Sequence, residues 1–209
     1  MSAGEAGVFT AVIRRFLRGP EQDLLRAGPA VGRVELPWFA KLGHVPKNDA
    51  EWRQGVDHVI QKMTPSADEV VWRKTDEPLY RYDDRPPGRL LDGYFTPHDY
   101  VDADLFQHIA GRSGFVSTTR NAEMSWSGRF QYELSGLGGG IDVDATAGAR
   151  MYGGTQQEVA FPGGFPARFV SRWRSVLNPE ELGRGMPPKF SEWVTNPRFD
   201  PSWERRLPA

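Results

Sequence analysis

The chain has 209 residues, a formal net charge of −1, no cysteine, and an aromatic complement that includes seven Trp and twelve Phe. That length buries one domain, or one domain with an appended segment, and the aromatic content supplies its core. With no block of like charge there is no nucleic-acid tail or membrane-binding stripe, without thiols there is no disulfide framework or thiolate metal site, and no apolar run approaches the roughly 18 residues of a membrane span.

The opening residues, Met1 to Gly7, lack the basic and apolar parts of a signal peptide. The protein is therefore expected to stay inside, to leave by a route that needs no such signal, or to have a sequence that begins after one. Residues 8–18 place Val8, Val12, Ile13, Phe16 and Leu17 on one helical face with arginines opposite, a face for docking on the domain or on a membrane; Gly19-Pro20 ends it. A Gly- and Pro-rich stretch over 19–49 reads as loop. A second helix is predicted from Asn48 or Asp49 as N-cap to about Met63, with Thr64-Pro65-Ser66 as its stop. Residues 1–68 are thus expected to form an extension packing on a domain that spans 69–209. His44 and His58 have no carboxylate or histidine partner at ligand spacing and read as structural, and no metal is implied.

From Glu69 onward the pattern is one of short strands. Strands are predicted over Glu69–Trp72 and Pro78–Tyr82, the second ended by Asp83-Asp84-Arg85-Pro86-Pro87-Gly88. A short helix follows over Leu105–Ile109, capped near Asp102, then strands over Gly114–Thr119, Phe130–Leu134 and Ile141–Ala145. A Gly-rich loop, Ala147 to Thr155, carries Tyr152 and leads into a strand opening at Gln156, with another over Pro166–Val176. The tail, with Trp193, Phe199 and Trp203, is expected to wrap the body. Strands that do not alternate as βαβ units argue an α+β class with antiparallel sheets. The glycine stretches do not form a G-x-G-x-x-G unit between strand and helix, which excludes a Rossmann site.

Within Gln156-Gln157-Glu158, side chains two apart in a strand point to one face, so Gln156 and Glu158 are expected to project together with Gln157 turned away. Alone, such a pair is compatible with the solvated face of an edge strand. Its company is an arginine in Leu79-Tyr80-Arg81-Tyr82-Asp83-Asp84-Arg85-Pro86-Pro87, then Ser117-Thr118-Thr119, in that order before it. These three motifs resemble those of the mono-ADP-ribosyltransferase toxins of the cholera and pertussis toxin group, which carry a strand arginine, an S-T-S strand, and an E-x-E or Q-x-E pair. The likeness runs from about Leu79 to Arg174. His108 before the Ser-Thr-Thr strand and the Gly163-Gly164 turn after Glu158 also match, and Glu192-Trp193-Val194-Thr195-Asn196-Pro197 resembles the closing segment of the pierisin and scabin branch, which modifies nucleic acid.

The resemblance implies an ADP-ribosyltransferase fold of two packed, mainly antiparallel sheets around an NAD cleft, and NAD consumed as co-substrate. It further implies that Glu158 binds the ribose and stabilises the cation formed as the nicotinamide–ribose bond breaks, that Arg81 grips the dinucleotide, that Ser117 positions Glu158, and that His108 and Thr118 line the NAD site. Gln156, a neutral amide with one donor and one acceptor end, implies an acceptor such as a guanine edge in nucleic acid or nucleotides, with Tyr152 stacking on it. A protein side chain as acceptor, predominant NAD hydrolysis, and a catalytically silent binding module are the other readings. As biology the likeness implies a secreted or delivered bacterial toxin, with residues 1–68 joining a delivery module, docking, or binding a neutralising partner.

Overall fold

Helix α1, Asp49–Lys62, starts where Asn48, held extended, accepts the Glu51 N–H at its side-chain oxygen, 2.9 Å away. Asp49 and Glu51 in its first turn and Lys62 in its last complement the helix dipole. The buried residues Trp52, Val56 and Val59 face the body, and Trp52 Nε1 donates to the Gly164 carbonyl. The computed structural model describes residues 45–110, 113–148, 156–182 and 186–200; the helix expected over 8–18, Tyr152 and Trp203 lie outside them.

The strands follow as β1 (Leu79–Asp83), β2 (Tyr94–Phe95), β3 (Phe115–Thr119), β4 (Phe130–Leu134), β5 (Ile141–Asp142), β6 (Glu158–Pro162), β7 (Phe165–Pro166), β8 (Val170–Ser175) and β9 (Val194–Thr195). Short helices α2 (Pro87–Leu90), α3 (Val143–Ala147) and α4 (Pro179–Leu182) lie between them. Seven strands are ordered β5-β6-β3-β1-β4-β8-β9, and β2 pairs with β7. Every pairing between these strands is antiparallel. β3 follows β6 from Phe115–Pro162 to Thr119–Glu158, and β1 follows β4 from Leu79–Leu134 to Asp83–Phe130, but β1 meets β3 at one pair, Tyr80–Thr119. The seven strands are thus two ladders joined at one crossing, in the α+β class expected.

The two-residue period divides the β3–β6 side chains between two cores. Val116 and Phe161 join Leu79, Phe95, Tyr132, Phe165 and Phe169. Phe115 and Ala160 face the other way, onto Val59, Met63 and Ile141. Between β6 and β7 the chain turns at Gly163 and Gly164, with φ of 65° and 76°. A Cβ at Gly164 would lie 1.9 Å from the Phe95 carbonyl oxygen, so no side chain fits there.

Several local expectations differ from the structure. Glu69–Trp72 is not a strand; its backbone is tied by single contacts, Val71 N–H to Thr146 Oγ1 and an isolated bridge from Trp72 to Ile141. Ile141–Ala145 alternates as a strand would, but pairs only as far as Asp142, whose carboxylate accepts the Ala145 N–H and starts α3. The strand expected over Pro166–Val176 is interrupted by a 3-10 turn, Ala167–Phe169. Asp104, not Asp102, caps the 3-10 turn Gln107–Ala110, accepting from the Phe106 and Gln107 N–H groups.

Candidate active site

Glu158 opens β6 opposite Thr119 and is 3% exposed. A buried carboxylate needs a hydrogen-bond donor, and His108 supplies one: its Nε2 lies 3.1 Å from Glu158 Oε1 and 2.7 Å from Ser117 Oγ. Ser117 lies two residues before Thr119 on β3 and so shares the face that carries Glu158. Ser117 and Glu158, expected to bond directly, instead share the one donor at His108 Nε2. The other ring nitrogen, Nδ1, is hydrogen-bonded to Ser113, and Ser113 Oγ accepts the Phe115 N–H at 3.3 Å. A carboxylate can only accept, so Nε2 carries a proton; in the neutral ring Nδ1 must then accept, and the Ser113 hydroxyl donates to it. Phe115 packs on the ring at 5.6 Å between centroids.

Arg81 lies just past the Tyr80–Thr119 crossing, where β1 and β3 no longer pair. Its Nη1 donates to the Ser117 carbonyl at 2.9 Å, and its Nη2 is 3.9 Å from Asp83 Oδ2. Asp83 is chiefly engaged by Arg85, which donates to it from Nε, Nη2 and the backbone. Burial would raise the Asp83 carboxyl, but the Arg85 hydrogen bonds outweigh it and hold its pKa below the usual value. Among the described residues Arg81 Nε is buried without a hydrogen-bond partner. Burial lowers the guanidinium's pKa, countered by the Asp83 and Glu158 carboxylates. The planar guanidinium suits a diphosphate and the Glu158 carboxylate a ribose hydroxyl, so the residues present fit NAD.

Gln156 is not on a strand. Gln157 takes a left-handed backbone, φ 48°, and β6 begins only at Glu158, so the two-residue spacing does not place Gln156 and Glu158 on one face of a strand. The Gln156 carbonyl accepts from Thr119 Oγ1 at 2.7 Å, the Gln157 carbonyl from Arg120 N–H at 3.1 Å, and the Gln157 N–H donates to Asp144 Oδ2 at 3.1 Å. Burial raises the Asp144 carboxyl above its usual pKa, and the nearby Asp142 and Glu158 charges add to it. Thr118 is fully buried and donates to the Val159 carbonyl; it points to the face opposite Ser117 and pins the β3–β6 ladder. Ser113, Arg120 and Asp144 were not among the sequence-derived candidates, and their spacing carries no motif that would find them.

Among the described residues, Arg168, Arg172 and Arg174 of the C-terminal part are committed to structure. Arg172 makes paired hydrogen bonds to Glu133, Arg174 donates to Gln131, and both guanidinium groups lie over Trp193, at 4.5 and 4.3 Å. Arg168 pairs with Asp49.

A family model described as Scabin-like matches residues 79–199. A guanine-specific ADP-ribosyl transferase of Streptomyces coelicolor is 32% identical over 124 residues; the match spans 56% of this chain and 58% of that protein's length. Among solved structures, scabin toxin from Streptomyces scabies in complex with NADH has 31% identity and a TM-score of 0.57, covering 84% of this chain and 98% of that one. A guanine-specific ADP-ribosyltransferase with NADH and GDP has 28% identity and a TM-score of 0.57, covering 68% of this chain and 87% of that one.

Proposed function

The chain belongs to the Scabin-like family, and from that membership we propose that it is an NAD-dependent mono-ADP-ribosyltransferase whose acceptor is guanine in DNA, nucleotides or nucleosides. The observation that carries the reading is the meeting of four separately encoded groups, with Arg81 and His108 both bonded to Ser117 and His108 to Glu158. Guanine-specific relatives, one of them solved with NADH and GDP, support the acceptor class.

Arg81 would hold the NAD diphosphate with the donors it does not spend on Ser117. As the nicotinamide leaves with the electron pair of the glycosidic bond, positive charge builds on the ribose, and the Glu158 carboxylate stabilises it more than it stabilises bound NAD. His108, fixed by Ser113 and Ser117, would keep that carboxylate aimed. Gln156 would meet the guanine edge with its amide, and Tyr152 would stack on the base. A toxin secreted or delivered into a target cell fits a family that includes scabin. Residues 69–209 would form the catalytic domain, with 1–68 offering a surface to a delivery module or a neutralising partner; within the described residues, α1 docks on that domain through the Trp52 hydrogen bond to Gly164.

Incubation with labelled NAD and separate guanosine, GDP, DNA and protein acceptors tests the proposal. Label on the guanine compounds is expected; label on protein alone would move the acceptor to a side chain.

A further inference from the structure

Gln157 is the one non-glycine residue with positive φ among the described residues. A left-handed glutamine is unfavourable on its own and persists only where neighbours hold it. The consequence is local and specific: it turns the chain between Gln156 and Glu158, so the direction of the Gln156 side chain is set by the Gln157 backbone. Three hydrogen bonds hold this turn. Two come from the end of β3, Thr119 Oγ1 to the Gln156 carbonyl and Arg120 N–H to the Gln157 carbonyl. The third is from another element, where Asp144 on α3 accepts the Gln157 N–H.

Asp144 is itself held in place. Two residues earlier Asp142 caps α3 through the Ala145 N–H, and its second oxygen accepts from Arg120 Nη2 at 2.9 Å. Asp142, Arg120, Gln157 and Asp144 thus close a ring around the turn. Glu158 is anchored by different contacts, the ladder pairing with Thr119 and the hydrogen bond to His108, neither of which passes through Asp144.

We propose that Asp144 is a positioning residue for acceptor selection: by holding the left-handed turn at Gln157 it aims Gln156 at the acceptor. This rests on the transferase reading above.

The test compares guanosine transfer with NAD hydrolysis in the full chain. Asp144→Ala should lower the ratio of transfer to hydrolysis by about tenfold, the usual effect of one lost hydrogen bond, while Asp144→Asn, which keeps an acceptor oxygen, should retain it. Gln157→Gly should also retain the ratio, because glycine takes positive φ without strain, and Gln157→Val should lower it. An unchanged ratio in Asp144→Ala, or transfer and hydrolysis falling together, overturns the proposal. Hydrogen exchange of the Gln157 amide gives a readout that needs no activity: protection in the wild type and Asp144→Asn, lost in Asp144→Ala, is expected, and equal exchange in all three overturns it. A wild type that consumed no NAD would instead contradict the transferase reading and leave the exchange result to decide the role of Asp144.

Discussion

His108 stands between Ser117 and Glu158, its Nε2 2.7 Å from the hydroxyl and 3.1 Å from the carboxylate. The serine hydroxyl and the carboxylate therefore share one Nε2–H donor, and the three groups form one coupled unit. Ser117→Ala and His108→Ala should each lower kcat for NAD hydrolysis, by up to about 100-fold for the histidine, and the double variant should lose little more than His108→Ala alone. A steady-state double-mutant cycle measures this; additive losses would show that the two groups work separately.

The Ser113 hydroxyl, donating to Nδ1, reinforces the Nε2–H tautomer that the Glu158 carboxylate requires of His108. Nitrogen chemical shifts of the labelled imidazole should show the Nε2–H tautomer in the wild type and a mixture of tautomers in Ser113→Ala. Ser113→Thr, which keeps the hydroxyl, should restore the wild-type pattern. A single unchanged tautomer in Ser113→Ala would assign the fixing role to the Nε2 partners instead.

Arg81 offers a planar fork with one nitrogen on the Ser117 carbonyl and a buried Nε without a partner among the described residues. Lysine keeps the charge but not the fork. Arg81→Lys should raise KM for NAD by about tenfold or more, with a smaller change in kcat. Equal KM values in the two proteins would remove Arg81 from dinucleotide binding.

Arg120 ties the turn at Gln157 to Glu77 as well as to Asp142. Burial would raise the Glu77 carboxyl, but hydrogen bonds from Thr75 and Arg120 outweigh it and bring it from 4.5 to about 2. A depressed folded-state pKa stabilises above the unfolded value and is lost on acidification. The Tm advantage of the wild type over Glu77→Gln should therefore be full above about pH 4.5 and close as the pH falls toward about 2. A pH-independent difference would mean that the charge of Glu77 contributes nothing.

Local signals made much of the scaffold legible. Asn48 followed by acidic residues announced α1, and the strands expected at Gly114–Thr119 and, by its alternation, at Phe130–Leu134 are β3 and β4. The order of Arg81, Ser117 and Glu158 along the chain pointed to one site, and the structure brings Arg81, Ser117, His108 and Glu158 together. What escaped was non-local or conformational. The face shared by Gln156 and Glu158 presupposed a strand, and no sequence feature marks a glutamine as left-handed. Thr118 has the chemistry of a ligand-binding hydroxyl, but its place in the alternation turns it to the Val159 carbonyl. Val143 to Ala145 read as strand because capping and alternation share the same short spacing, and the Asp142 bond to the Ala145 N–H decided for the helix.

The decisive measurement is nicotinamide release and guanosine adduct formation by the wild type and by Glu158→Gln, which keeps the size of the side chain and one acceptor oxygen but removes its charge. The wild type should release nicotinamide and yield ADP-ribosylated guanosine identifiable by mass, and the variant should produce neither above background. NAD consumption unchanged by Glu158→Gln would contradict the assignment of this carboxylate to the chemistry.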